Sequence, residues 1–192
     1  LERSLSIKPD NASAHSNLGN ALKNLNRYEE ALTSFDKAIN LNPNFADAYS
    51  NRGVILQEMK RYDEALQSYD KAIKINPNHF FSHGNRGITL KDLNRYDEAL
   101  NSYDRAIEIN PNFANAHSNL GNVLRDLGNL HQAEVAFRKA IEINPNNAIF
   151  YSNLGGILKN FGKLKEAELS CLKAIKINPT YARAYFSISN LK

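Results

Sequence analysis

Apolar residues near the start of the chain fall in two stripes separated by a polar break. Ala14, Leu18, Ala21, Leu22 and Leu25 follow the i, i+4, i+7, i+8, i+11 spacing of one helix face. After Asn26-Arg27, the residues Tyr28, Ala31, Leu32, Phe35, Ala38 and Ile39 form a second helical stripe. Asn42-Pro43-Asn44 closes it, because proline disfavours helix for the residue before it. The pair of stripes then returns at a fixed interval. All six prolines, Pro9, Pro43, Pro77, Pro111, Pro145 and Pro179, are spaced 34 residues apart. Such a period predicts one small helix pair repeated along the chain, so function is to be read from the repeated surface.

With the proline placed at position 32, complete units occupy residues 12–45, 46–79, 80–113, 114–147 and 148–181. Residues 1–11 read as the end of a preceding unit and 182–192 as the first helix of a sixth. Each unit is expected to hold a helix A near positions 1 to 14 and a helix B near 15 to 30. Position 8 is Gly19, Gly53, Gly87, Gly121 and Gly155. Glycine inside a helix costs roughly 1 kcal/mol relative to alanine, so the recurrence needs a packing reason. The expected one is close approach to the small residues of helix B, Ala31, Ala65, Ala99, Ala133 and Ala167. Bulk at position 24, from Phe35, Tyr69, Tyr103 and Phe137 (Cys171 in the last unit), is expected to fill the space between pairs.

The run Asn17-Leu18-Gly19, with Ala at position 20, Phe or Tyr at 24, Ala at 27 and Pro at 32, resembles the tetratricopeptide repeat, and the match covers the whole chain. The resemblance implies an all-α fold: a right-handed α-solenoid superhelix of antiparallel helix pairs whose A helices line a concave groove. Position 4 departs from the family's aromatic preference at His15, His83 and His117. Position 7 departs from leucine at Arg52 and Arg86.

A net charge of +4 is a weak basic bias for 192 residues, short of a nucleic-acid binder's footprint. No apolar run approaches the roughly 20 residues that span a bilayer, and no signal peptide is visible. A lone Cys171 allows no intrachain disulfide and fits a cytoplasmic, reducing setting. Leu1, Leu5 and Tyr185 would leave apolar faces uncapped, which reads as an excerpt of a longer array with a tendency to associate end to end.

Helix A's outward face carries the candidate site. Position 6 is Asn17, Asn51, Asn85, Asn119 and Asn153, and position 5 is serine or glycine throughout. A side-chain amide offers donors and an acceptor, which suits an extended peptide backbone. This ladder resembles the repeat arm of O-linked N-acetylglucosamine transferases and the kinesin light-chain repeats, where it holds extended segments. Copying by duplication and hydrogen bonding between neighbouring helices remain open as other reasons for it. A row at position 12, Lys23, Lys91, Arg125 and Lys159 with Gln57 between them, would favour an acidic partner. Phe81, Ile88 and Val54 suggest an apolar anchor in mid-groove. The family's clamp for a chaperone's terminal carboxylate needs lysine at position 5, which this chain lacks.

No phosphate loop, triad or carboxylate pair stands out, and no cofactor is implied. His79 and His83 share the i, i+4 spacing of a metal pair without a third ligand. Cys171 occupies a packing position and reads as a small buried hydrophobe. The sequence therefore predicts a non-catalytic scaffold for an extended protein segment. The alternative is the recognition arm of a larger enzyme such as a glycosyltransferase. Single-stranded RNA is disfavoured because the groove repeats no aromatic for stacking.

Overall fold

The computed structural model describes residues 11–182, 184 and 185. The expected helix end in residues 1–8, with Leu1 and Leu5, and most of the sixth-unit helix lie outside them. Ten α-helices are described, in order α1 (Ala12–Asn24), α2 (Tyr28–Leu41), α3 (Ala46–Glu58), α4 (Tyr62–Ile75), α5 (Phe80–Asp92), α6 (Tyr96–Ile109), α7 (Ala114–Asp126), α8 (Leu130–Ile143), α9 (Ala148–Asn160) and α10 (Leu164–Ile177). Among the described residues there is no strand. Odd-numbered helices up to α9 are the A helices and even-numbered ones the B helices. No helix among them is long and apolar enough to cross a membrane.

Turn chemistry sets the period. Helix B starts at position 17, two residues later than expected, because position 15 turns left-handed. It is Asn26, Lys60 and Asn94 at φ of 57°, 59° and 58°, and Gly128 and Gly162 at 82° and 69°. A residue in this region is a common helix stop. At position 31 the asparagine folds back on its own turn. Oδ1 of Asn42, Asn76, Asn110, Asn144 and Asn178 accepts from the backbone N–H two residues on, at 3.0–3.2 Å. This bond and the proline after it end helix B in every unit.

The chain divides into two compact units, Leu1–Glu98 and Ala99–Lys192. In the first, α1 pairs with α2 and α3 with α4. The next pair is joined on through α2 against α3 and α4 against α5, and α1, α3 and α5 lie side by side. Its core is built from Leu22, Ala31, Leu32, Phe35, Ile55, Leu56, Ala65 and Tyr69. In the second, α7 pairs with α8 and α9 with α10, and α8 packs on α9. Leu124, Ala133, Phe137, Leu154, Ile157, Leu158 and Ala167 form that core.

The glycine contact differs from the expected one. A Cβ on Gly19, Gly53 or Gly121 would meet the ring of Phe35, Tyr69 or Phe137 at 2.8, 2.6 and 2.8 Å, and on Gly155 it would meet Cys171 Sγ at 2.7 Å. The bulk at position 24 therefore fills the inside of these four helix pairs, seated on the glycine. The alanine at position 20 is the smaller neighbour one turn away.

Both family departures acquire reasons. Arg52 Nε donates to Asp36 at 2.8 Å and Arg86 Nε to Asp70 at 2.7 Å, so arginine at position 7 ties one unit to the preceding one. His83 and His117 donate from Nε2 to the carbonyls of Pro77 and Pro111 at 3.0 Å, clipping helix A to the turn before it.

Candidate functional site

In the first compact unit, α1, α3 and α5 present one pocket of about 450 Å³. Asn17, Asn51 and Asn85 all line it, with Phe45, Phe81 and Asn20 at its walls. The small residues Ser16 and Ser50 also line it, leaving room for a backbone beside the amides. Asn17 is exposed, and Asn51 and Asn85 are partly so. None of the three spends its amide on a hydrogen bond to another described residue, so the amides that line the pocket keep their donors and acceptors unspent within the protein.

The pocket holds one polar pair that the sequence reading missed. His79 Nδ1 faces the backbone N–H of Ser82 at 3.2 Å and its hydroxyl at 2.8 Å, both donors. The ring proton therefore sits on Nε2, which donates to Asp47 Oδ1 at 2.8 Å. Serine, histidine and aspartate are thus in line, but Ser82 is fully buried and no substrate reaches its hydroxyl. The pair fixes instead the start of α5, where His79 is the cap, and with it the exposed Phe81 ring, whose centroid lies 6.4 Å from that of His79. His79 and His83 turn to different partners, Asp47 and the Pro77 carbonyl. Among the described residues no group of three or more His, Cys, Asp or Glu side chains is placed to hold a metal.

The remaining site candidates divide. Asn119, in the second compact unit, is partly exposed and makes no side-chain bond to a described residue. Asn153 differs from the other four. It is 3% exposed, and its Nδ2 donates to Ser118 Oγ at 3.5 Å while its buried Oδ1 has no partner among the described residues. One rung of the ladder is therefore enclosed, as in a bond between neighbouring helices. In the basic row, Lys23 and Lys91 are partly exposed, Lys159 is exposed, and Arg125 bonds Asp126 at 2.9 Å. Gln57 accepts from the Tyr69 hydroxyl at 3.1 Å, on the side of helix B. Phe81 stands 52% exposed in the pocket. Val54 packs on the core instead, and Ile88 is half-buried. Cys171 is 1% exposed, and burial pushes its thiol up from the usual range, opposite to an activated nucleophile.

Comparison with known proteins agrees with this architecture. A family model described as tetratricopeptide repeat matches residues 1–33, 68–101 and 136–168, and a second of the same description matches 46–79 and 114–147. A third, described as TPR repeat, matches 19–60 and 87–128. No curated protein matches the chain. Among solved structures, YrrB, described as a TPR protein with an unusual peptide-binding site, is 26% identical, with 98% of this chain and 97% of that chain covered and a TM-score of 0.71. PilF of Pseudomonas aeruginosa is 22% identical over 94% of this chain and 82% of its own, at a TM-score of 0.87. A thermophilic TPR protein of Thermus thermophilus, TTC0263, is 22% identical over 94% and 98%, at 0.77.

Proposed function

The chain belongs to the tetratricopeptide repeat family, and from that premise we propose that it is a protein-interaction scaffold that holds an extended peptide segment across α1, α3 and α5. The observation that carries the reading is the convergence of three unspent amides, Asn17, Asn51 and Asn85, on one pocket. An extended strand has alternating N–H and C=O groups along its edge, and an asparagine can answer either. Phe81, exposed beside Asn85, would seat one apolar side chain of the segment. An acidic residue further along would meet Lys23 or Lys91, the basic positions of the same helices. YrrB, a relative in fold with a peptide-binding site, supports a peptide as the ligand class. A cytoplasmic setting suits the single buried thiol.

The test is a peptide selected from a displayed random library on the intact chain, then titrated against Asn17→Ala, Asn51→Ala and Asn85→Ala combined. With a net contribution of about 0.5–1.5 kcal/mol per hydrogen bond, the triple variant should bind roughly 2–4 kcal/mol more weakly. Its melting temperature should hold, since alanine is the better helix former. Undiminished affinity in a folded variant would remove the amides from recognition. A collapsed melting temperature would make them structural.

A further inference from the structure

Two junctions between repeats carry the same polar device, and a third retains only half of it. Asp36 accepts from Arg52 and Asp70 from Arg86, pairing position 25 of one repeat with position 7 of the next. Arg52 also donates to Ser68 Oγ at 2.8 Å, at position 23. At the next junction the aspartate persists as Asp104, but Leu120 stands in the arginine's place and Ala136 in the serine's. No hydrogen bond or ion pair joins Asp104 to another described residue. Beside it, within the second compact unit, lies a cleft of about 570 Å³ walled by Leu100, Leu120, Leu124, Val135 and Ala136. Val135, 69% exposed, continues the apolar wall of the cleft out to solvent. Lys139, at the rim, is already bound to Glu142 at 2.8 Å. Asp104 is exposed at the cleft, and partial desolvation, with the charge of Glu108 after it, pushes its carboxyl up from the ordinary carboxylate range.

We propose that this cleft is a second binding surface, apart from the asparagine groove, which receives an arginine side chain of a partner polypeptide on Asp104 and a neighbouring aliphatic residue on Leu120, Leu124 and Val135. The guanidinium takes the place that Arg52 and Arg86 fill from within the chain at the other two junctions. Arginine fits better than lysine because both internal pairs use Nε, a donor lysine lacks, and because the arginine stem lies comfortably on aliphatic surface. None of the residues that line this cleft lines the groove of α1, α3 and α5, so the two surfaces can be tested separately.

The probe is acetyl-Leu-Arg-Leu-amide, titrated into the full chain labelled at its leucine and valine methyl groups and read by NMR. Its control carries citrulline, which keeps the shape and removes the charge. We expect shifts at Leu120, Leu124 and Val135, and affinity roughly five- to tenfold weaker for the citrulline peptide and for Asp104→Asn. Asp104→Asn should melt no lower than the parent, because it removes an unpaired carboxylate. Leu120→Arg combined with Ala136→Ser rebuilds the internal device and should close the cleft to the peptide. Absence of methyl shifts, equal binding of the citrulline peptide, or undiminished binding to Asp104→Asn would each overturn the site. A lysine peptide that binds as well as the arginine one would overturn the choice of side chain.

Discussion

At Gly53 there is no room for a methyl group, since a Cβ there would stand 2.6 Å from the Tyr69 ring, itself fully buried. The ring belongs to the same core cluster as Ile55, Leu56 and Ala65 and cannot yield without disturbing it. Gly53→Ala should therefore cost about 1–3 kcal/mol, read as a lower urea midpoint. Gly156 makes the opposite case: it too is helical, and nothing lies within 4 Å of its would-be Cβ. Gly156→Ala should raise the midpoint, by about 0.5–1 kcal/mol of helix propensity. Both glycines lie inside A helices, and their contacts give the two substitutions different signs. The recurrence at position 8 did announce a close contact. It could not say whether position 20 or position 24 made it, because residues one helical turn apart share a face and a period.

At the scale of the element, the helix ends are where pattern and structure part. Apolar stripes located every helix of the five complete units, but the onset of helix B moved to position 17 because the stripe is silent about φ. Lys60 holds a left-handed turn at φ 59° where two other units use glycine. Lys60→Gly should stabilise by roughly 1 kcal/mol, as a higher melting temperature. Three B helices also share a brace at their start. Arg27, Arg61 and Arg95 each grip the glutamate three residues on, Glu30, Glu64 and Glu98, through Nε and a terminal nitrogen at 2.6–2.8 Å. The arginine hydrogen bond holds each of these carboxyls below the ordinary range. A carboxylate with a lowered folded pKa lends stability that is complete above its unfolded value and disappears as pH falls through the folded one. Melting temperature should therefore decline as pH drops below about 4.5, and Glu64→Gln should flatten part of that decline. These pairs are exposed, so the flattening should be small and should shrink in high salt.

On the scale of the whole chain, a repeat that touches only its neighbours makes fold and order nearly legible from the period alone. The candidate site was legible in part. The asparagines at position 6 were visible as a series, and three of them meet in a pocket because α1, α3 and α5 lie side by side. The enclosure of Asn153 was not visible, since its immediate run Ser152-Asn153-Leu154-Gly155 is identical to Ser118-Asn119-Leu120-Gly121. Nor was the bond between Asp47 and His79, because neither residue recurs at its position in the other repeats. The junctions add information that the period hides. The cation at position 7 and the anion at position 25 form a key and lock at two of the boundaries, Asp36 with Arg52 and Asp70 with Arg86. Gene rearrangements that drop either inner repeat are thus alike in their effect on these pairs. Loss of residues 46–79 would bring Asp36 against Arg86, and Asp104 would still face Leu120. Loss of residues 80–113 would keep Asp36 with Arg52 and bring Asp70 against Leu120, in the place Asp104 holds now. Arrays of this kind can shorten at either seam without adding an unmated charge, so the ion pairs set at the joins leave that recombination open.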